Sequence, residues 1–296
     1  MITLVVEDRM PLLGTITGDG VSHPARMTYS PLGEAILKAL FNIPKFYSSI
    51  EILTQQLMPD HLHAIFFVKE DIPIHLGAII CGYKTACNRV FHMLIENGVI
   101  KSKKKALWEH GYNDIILDRK GQLKRMKDYI LDNPRRRAIK KSHPELFEIR
   151  HNIKVGDYTF AAQGNIFLLD APYLLQVQCS QKLTEKQIKE LREQFIMKAS
   201  NGAVLVSPSI SPGEKEIMRA AFEQGLPVIV LQENGIAPLA KPKGRLFDAC
   251  AQGKVLMLAP WEHHNDRRTI RREQCLELNE MARVICKENR GKAAIQ

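Results

Sequence analysis

Two histidines on one predicted strand have the chemistry of half a metal site. His61 and His63 lie in a segment from Met58 to Val68 whose apolar and aromatic residues predict a buried strand. Side chains two positions apart on a strand point to the same face, so we expect the two imidazoles to converge. Neutral imidazoles are good ligands for divalent metals, and such a site needs a third ligand nearby. The alternative is a pair of surface histidines on a half-exposed strand.

A helix further along the chain carries candidates for a third ligand and for a nucleophile. The segment from Gln122 to Asp132 predicts a helix that stops at Asn133, because the following Pro134 disfavours helical geometry in the residue before it. Tyr129 and Asn133 are four positions apart and share a helix face. The Asn133 amide oxygen is a candidate third ligand, and the Tyr129 hydroxyl is expected to lie close to the group that the metal polarises.

A tyrosine hydroxyl is a weak nucleophile at neutral pH. It has a pKa of about 10, so at neutral pH attack on a phosphate requires a Lewis acid that orients and polarises that phosphate. The alternatives are that Tyr129 is a half-buried packing residue and that Asn133 caps the end of its helix before the proline. Tyr112 is the rival nucleophile, and it lies in a predicted loop or short strand with no ligand-type residue four positions later.

Taken together, these motifs resemble the single-tyrosine HUH transposases, and most closely the REP-associated tyrosine transposases. The resemblance covers roughly residues 1 to 140. It is carried by three stretches in order, namely Met58-Pro59-Asp60-His61-x-His63, Trp108 to Ile116, and Tyr129-Ile130-x-x-Asn133-Pro134.

That resemblance implies a fold, a cofactor and a reaction. The family has a ferredoxin-like α+β domain, takes Mg²⁺ or Mn²⁺, and cleaves single-stranded DNA near hairpins. Cleavage goes through a covalent 5′-phosphotyrosine and leaves a free 3′-hydroxyl. Carried over by position, His61, His63 and Asn133 are metal ligands and Tyr129 is the nucleophile. Family members usually have a basic stretch before the first strand, whereas this sequence starts within that strand at Met1, so we expect contacts from such an arm to be missing.

The charge of the chain favours a polyanionic partner. The formal net charge is +10 and the sequence pI is about 9.3, a balance typical of nucleic-acid-binding proteins. Basic residues along and after the Tyr129 helix are expected to contact the backbone of single-stranded or hairpin DNA. These candidate DNA-binding residues are Arg119, Lys124, Arg125, Arg135, Arg136, Arg137, Lys140 and Lys141. A lysine patch from Lys101 to Lys105 fits DNA contact and a solvated surface equally well.

The second half of the chain changes character. After about residue 150, apolar strands alternate strictly with helical segments, which predicts a parallel sheet buried on both faces. We therefore predict an α/β protein with two domains. Residues 1–150 form a ferredoxin-like α+β nuclease domain of the HUH transposase type, and residues 151–296 form a doubly wound, parallel-sheet, Rossmann-like domain.

Small residues after the strand from Ala203 to Val206 predict a phosphate or nucleotide site. They lead into a helix through a capping box, Ser211 to Glu214, with proline at the first helical position. A strand that feeds a helix N-terminus through such a loop is where α/β folds bind phosphates. The candidate binding residues are Ser207, Ser209, Ser211 and Gly213.

This stretch, together with Gly225-x-Pro227, also resembles the Rossmann-like fold of DNA-processing and molybdenum-cofactor-carrier-like proteins. That resemblance implies nucleotide or DNA binding. An ordinary capped helix is the alternative.

These expectations give two hypotheses. The first is a metal-dependent single-stranded DNA endonuclease and strand transferase. The second is a non-cleaving protein that binds structured DNA and senses a nucleotide through its C-terminal domain. The sequence has no apolar run of membrane-spanning length and no signal-peptide pattern, so we expect a cytoplasmic protein that does not associate with membranes. The sequence is compatible with both a monomer and a homodimer.

Overall fold

The computed structural model describes residues 1–266 and 269–293, and the chain divides into two compact units. The first unit is Met1–Ser142 and the second is His143–Gln296. The division lies a few residues before the sequence-based boundary at about residue 150. None of the helices in the described residues is long and apolar enough to cross a membrane.

The first unit is built on a four-stranded antiparallel sheet and a separate hairpin. The sheet has the order β4-β5-β1-β6, and β2 pairs with β3. Its elements are β1 (Ile2–Val5), β2 (Gly14–Thr17), β3 (Arg26–Tyr29), α1 (Pro31–Phe46), β4 (Ile50–Met58), β5 (His61–Val68), α2 (Leu76–Glu96), β6 (Asn113–Asp114) and α3 (Gln122–Ser142).

The core of the first unit lies on the α1 and α2 side of the sheet. Leu62 and Ala64 of β5 are fully buried in it, together with Leu4 of β1 and Phe91 of α2. Since side chains alternate along a strand, residues next to these in sequence point to the opposite face. Helix α3 packs against β4 and contacts β5. The histidines of β5 therefore face the side of the sheet that α3 covers.

Helix α3 runs past the proline that was expected to end it. The prediction that the helix stops at Asn133 is wrong, because α3 continues through Pro134 to Ser142. A proline inside a helix removes one backbone hydrogen bond and crowds the preceding turn. Beyond the proline, Ala138 and Ile139 are buried, and their burial offsets that cost. Asn133 is consequently an interior helix residue and does not cap the helix.

The second unit contains a six-stranded sheet with the order β7-β8-β12-β11-β10-β9. Strands β9 to β12 are parallel, whereas β8 and β7 pair antiparallel at the β12 side. Its elements are β7 (Arg150–Val155), β8 (Tyr158–Gly164), β9 (Leu174–Gln176), α4 (Glu185–Ser200), β10 (Val204–Ser207), α5 (Pro212–Glu223), β11 (Val228–Leu231), α6 (Gly244–Ala251), β12 (Val255–Ala259) and α7 (Arg272–Ala293).

Helices cover both faces of this parallel-rich sheet. Neighbouring residues of β10 point to opposite faces of the sheet. Val206 packs against residues of α7 on one face, and Leu205 packs against residues of α4, α5 and α6 on the other. The arrangement is consistent with a Rossmann-like domain. The expected doubly wound order is absent among the described strands, since β9 to β12 follow one another across the sheet in chain order. When right-handed connections between neighbouring parallel strands all run in the same direction across the sheet, their helices lie on one face of it. Helices α4, α5 and α6 lie on one face in this way.

Candidate active site

The two histidines of β5 lie side by side. Their ring centroids are 4.8 Å apart in an edge-to-face arrangement. His63 is 9% exposed, and the His61 side chain is 16% exposed. The convergence expected from the strand pattern is therefore present, and the pair is largely shielded from solvent. It is not a pair of surface histidines.

Each imidazole is held through its Nδ1 atom by an oxygen from a neighbouring element. His61 Nδ1 lies 2.7 Å from Asp60 Oδ1, and His63 Nδ1 lies 2.8 Å from Thr3 Oγ1. An ionised carboxylate only accepts hydrogen bonds, so the proton of a neutral His61 is on Nδ1. The nitrogen that remains for another ligand is Nε2 in both rings. Metal-ligating histidines are typically oriented in this way by partners of the second nitrogen.

Burial keeps His63 in the neutral form that a metal ligand requires. The pKa of His63 is lowered to about 4, first because the ring is removed from water and second because His61 lies beside it, while Asp60 partly opposes the shift. At pH 7 this imidazole has no positive charge. It can therefore offer a lone pair to a cation.

Asp60 is the most connected charged group of the site. Burial raises its pKa, but the hydrogen bonds from His61 and Arg137 outweigh that effect and lower the pKa to about 2. Arg137 of α3 donates to the Oδ1 atom, and the Arg9 guanidinium lies 3.8 Å from Oδ2. One buried carboxylate therefore contacts a histidine and two arginines.

The Tyr129 side chain of α3 lies beside the histidine pair. Its ring centroid is 6.2 Å from that of His63, and 40% of the residue is exposed. The Arg136 guanidinium carbon lies 5.7 Å from the Tyr129 ring centroid, which is cation–π distance. A phenol beside His63 and open to solvent is accessible to a substrate. The same exposure also fits the half-buried packing role considered for Tyr129.

The rival tyrosine contacts a different element. Tyr112 lines a cavity of about 580 Å³ beside α2. Its hydroxyl lies 3.6 Å from where a Cβ on Gly77 would be. This hydroxyl therefore faces α2 rather than α3.

Asn133 has the chemistry of a third ligand but differs from the histidines in its contacts. Among the described residues, its amide nitrogen is one of the few buried polar atoms with no hydrogen-bond partner. The oxygen and nitrogen of an amide exchange by a half-turn of the group, so the same side chain can present an oxygen to a cation. Two imidazoles and an amide oxygen are ligand types that suit a divalent metal. Among the residues that the structure describes, no group of three or more His, Cys, Asp or Glu side chains is arranged to hold a metal ion.

The basic residues expected to contact DNA fall into two groups. Arg135 and Arg136 bind the Asp132 carboxylate of their own helix, while Arg137 binds Asp60. Lys140 is partly buried near the end of α3. The side chains that the structure exposes are Arg119, Lys124, Arg125 and Lys141.

The predicted phosphate loop of the second unit is filled by a side chain of the protein. The buried Glu214 carboxylate accepts hydrogen bonds from the backbone N–H groups of Cys179 at 3.0 Å, Ile210 at 2.7 Å and Ser211 at 3.2 Å. A phosphate would have to displace this carboxylate.

The four predicted phosphate-binding residues have internal roles. Ser207 Oγ accepts from the Ser209 N–H, and Ser211 Oγ caps α5 by accepting from the Glu214 N–H. Gly213 is buried, and a Cβ there would lie 3.1 Å from Cys179 Cβ. The structure thus favours the capped helix over the phosphate cradle.

Sequence reasoning missed Asp60, Thr3 and the role of Glu214. Asp60 had a signal, since it directly precedes His61 in a Pro-Asp turn. Thr3 had none, because its position opposite His63 depends on the pairing of β1 with β5. Glu214 was recognised as part of a capping box, which predicts contacts to the start of its own helix but not to Cys179.

Comparison with known proteins connects this geometry to one family. Residues 31–133 match the family model described as transposase, IS200-like. The match spans about a third of the chain and includes both histidines, Tyr129 and Asn133. It supports a transposase domain, a DNA-processing kind of enzyme, in the first unit. We refer to residues 31–133 as the transposase-like segment.

Other comparisons add little to this match. No curated protein matches the chain. One similar solved structure is DNA processing protein A from Helicobacter pylori, reported with a single-stranded DNA binding mode, at 17% identity and a TM-score of 0.35. The similarity covers 47% of this chain and 66% of that one, so the present chain spans just under two thirds of that protein's length.

Proposed function

We propose that the first unit is a metal-dependent single-stranded DNA endonuclease and strand transferase that acts on hairpin-containing DNA through a covalent 5′-phosphotyrosine. The observation that carries the proposal is the 6.2 Å separation between the Tyr129 and His63 rings, which come from a helix and a strand far apart in sequence. The match of residues 31–133 to IS200-like transposases supports the same reaction class.

We assign the first unit a ferredoxin-like topology and the second a Rossmann-like one. In the first unit, the four sheet strands and two helices follow the order β-α-β-β-α-β along the chain. The first of these strands lies between the third and the fourth in the sheet, and all neighbours are antiparallel. This order supports the assignment. Four parallel strands with helices on both faces support the second.

The proposed cofactor is Mg²⁺ or Mn²⁺. His61 and His63 would hold it through Nε2 and Asn133 through its amide oxygen. The cation, when bound, supplies Lewis-acid polarisation of the scissile phosphate. The neutral state of His63 and the fixed Nδ1 contacts of both rings support this role, because the protein has already oriented the ligands.

The residues of the chain account for the remainder of the reaction. The Tyr129 oxygen forms a bond to phosphorus and loses its proton to solvent, which reaches this half-exposed side chain. The bond from phosphorus to the 3′ oxygen breaks, and that oxygen takes up a proton from water. The products are a 5′-phosphotyrosine and a free 3′-hydroxyl. Attack by another 3′-hydroxyl reverses these bond changes and joins the strands.

Binding of the substrate is assigned to the cations beside this site. Arg119, Lys124, Arg125 and Lys141 are exposed, so they are available for backbone phosphates, which provide affinity without sequence information. Arg136, Arg135, Arg137 and Lys140 lie closer to the protein interior. A phosphate at the site would compete with Asp132 and Asp60 for the three arginines.

The experiment that tests the proposal compares two tyrosine variants. The full-length protein is incubated with hairpin-bearing single strands and Mn²⁺, and covalent adducts are resolved on a denaturing gel. We expect Tyr129→Phe to abolish the adduct while DNA binding is retained, because the ring and its packing are preserved. Tyr112→Phe is the matched control and should leave the adduct unchanged.

Two results would contradict the proposal. An adduct that persists in Tyr129→Phe would assign the nucleophile elsewhere. DNA binding by the wild-type protein without any adduct would instead leave the non-cleaving DNA-binding function. The nucleotide-sensing part of that alternative is disfavoured by Glu214, whose carboxylate occupies the loop where a phosphate was expected.

A further inference from the structure

The turn between β4 and β5 places a buried carboxylate at the meeting point of the strand and helix of the site. Asp60 is the second residue of the two-residue turn that follows Met58. Its side chain is 8% exposed. Because burying an unpaired charge is very costly, a carboxylate in this position must be matched by cations or donors. Here they are His61, Arg137 and Arg9.

The contact with His61 fixes the tautomer of that ring. With Nδ1 donating to Asp60 Oδ1 at 2.7 Å, the lone pair of the neutral ring is on Nε2. Without this acceptor, a neutral imidazole in water populates both tautomers, and the ring can rotate. Asp60 therefore decides which nitrogen of His61 is presented to a ligand.

The contact with Arg137 joins the same carboxylate to α3. Arg137 follows Tyr129 by eight positions, or about two helical turns. Its guanidinium donates to the oxygen that also accepts from His61. The turn preceding the metal-ligand strand and the helix of the nucleophile are thus connected through one side chain.

We propose that Asp60 is a positioning residue of the active site, whose carboxylate both orients His61 for metal binding and holds α3, with Tyr129, in register with β5. The roles of His61 and Tyr129 as metal ligand and nucleophile rest on the proposed function. The two contacts that define the role of Asp60 do not. If Asp60 only formed a structural ion pair, its removal would lower the stability of the protein, because it leaves a buried partner uncompensated. It would not change the His61 tautomer or the affinity for the metal.

The test uses three variants of the full-length protein. Asp60→Ala removes both contacts. Asp60→Asn keeps an oxygen that accepts from His61 but loses the charge that holds Arg137, and Arg137→Gln removes only the helix contact. Asp132→Ala is the matched control, since it deletes a carboxylate paired with arginines of the same helix without contacting His61.

Three readouts separate the roles. The His61 tautomer is read from ring ¹⁵N chemical shifts in metal-free protein. Mn²⁺ affinity is measured by calorimetry, and the adduct rate is measured on hairpin DNA. For Asp60→Ala we expect loss of the Nδ1–H tautomer and a Mn²⁺ Kd raised about 10- to 100-fold. For Asp60→Asn and Arg137→Gln we expect an unchanged tautomer, a Mn²⁺ Kd within about threefold of wild type, and a slower adduct. Asp132→Ala should leave the tautomer and Mn²⁺ affinity unchanged.

The outcomes keep this inference distinct from the proposed function. An unchanged His61 tautomer and Mn²⁺ Kd in folded Asp60→Ala would overturn the positioning role even if the adduct forms. If Asp60→Ala does not fold, a wild-type adduct rate in both Asp60→Asn and Arg137→Gln would overturn it. If the wild-type protein gives no adduct but Asp60→Ala shifts the tautomer, the proposed function fails and the effect of Asp60 on His61 stands.

Discussion

At the scale of single residues, the histidine pair depends on oxygens supplied from two other parts of the chain. Asp60 comes from the preceding turn, whereas Thr3 comes from β1 and reaches His63 because the two residues are directly paired across the strands. In a site shielded from water, a ring nitrogen without such a partner would remain unsatisfied. The orientation of both rings is therefore a property of the sheet register as well as of the His-x-His spacing.

Thr3→Val tests the contact between the Thr3 hydroxyl and His63 Nδ1. The change keeps the branched shape and removes the oxygen, so His63 loses the group that orients it. We expect the Mn²⁺ Kd to rise about 10-fold, by calorimetry, in a protein that remains folded. Thr28→Val, at an exposed position of β3, is the control and should leave affinity unchanged. Equal affinities for wild type and Thr3→Val would contradict the role of this contact.

The candidate site could be predicted from the sequence to the extent that spacing determines geometry. Spacing alone places His61 and His63 on one strand face and Tyr129 with Asn133 on one helix face. The meeting of those two faces depends on tertiary packing, and so does the register that brings Thr3 to His63. The arginine contacts to Asp60 could not be foreseen either, because Arg9 and Arg137 lie far from it in sequence.

At the scale of elements, α3 shows how tertiary packing overrides a local signal. Pro134 is a strong helix breaker in isolation, yet the helix continues because the residues after it bury apolar surface. Arg135 and Arg136 also reach back across the proline to Asp132. The sequence pattern gave the start of this helix correctly but not its end, since a single-sequence reading does not reveal which downstream residues find a core.

Ile139→Ala tests the continuation of α3 beyond Pro134. Ile139 is 1% exposed, and truncating a buried isoleucine typically lowers the free energy of unfolding by about 2–5 kcal/mol. We expect a loss in that range by urea denaturation. Lys141→Ala, two positions later and exposed, should change stability by less than about 0.5 kcal/mol. Similar small effects for both variants would mean that this part of the helix is not packed.

The contacts of Glu214 at the start of α5 can be tested by a stability measurement. Glu214→Ala would leave the backbone N–H groups of Cys179, Ile210 and Ser211 without this acceptor, and a buried donor left unsatisfied costs about 1–3 kcal/mol. We therefore expect a loss of about 1–3 kcal/mol in the unfolding free energy. Glu223→Ala, at the exposed end of α5, is the control.

The same helix start also bears on nucleotide sensing. Since Glu214 occupies the backbone donors of the loop, inorganic phosphate should not raise the melting temperature of the wild-type protein. Stabilisation by phosphate that is lost in Ser209→Ala would restore the cradle interpretation.

At the scale of the whole molecule, the chain combines a net charge of +10 with two compact units. Strong alternation of apolar strands and helices was enough to predict the parallel part of the second sheet. The order of its strands was not predictable from a single sequence, because nothing local specifies whether successive crossovers step in one direction or reverse. The distribution of charge leads to a prediction for DNA binding.

The Lys124→Ala/Arg125→Ala double variant tests where DNA is bound. Each lost phosphate contact reduces the slope of log K against log salt concentration by about 0.7 for a single strand, so two contacts predict a decrease of about 1.4. The measurement is a salt titration of binding by fluorescence anisotropy. Lys186→Ala/Lys189→Ala, an exposed pair on α4, is the control for loss of positive charge alone. Equal decreases in the two double variants would show that DNA is not localised at α3.

The most direct measurement of the central claim is the site of covalent attachment. After reaction with hairpin DNA and Mn²⁺, nuclease and trypsin digestion followed by mass spectrometry identifies the modified peptide. Trypsin releases Tyr129 in the peptide Asp128–Arg135 and Tyr112 in the peptide Ala106–Arg119, so the two candidates separate cleanly. We expect a nucleotide phosphate on Asp128–Arg135, attached at Tyr129. Modification of Ala106–Arg119 with an unmodified Asp128–Arg135 would contradict the account.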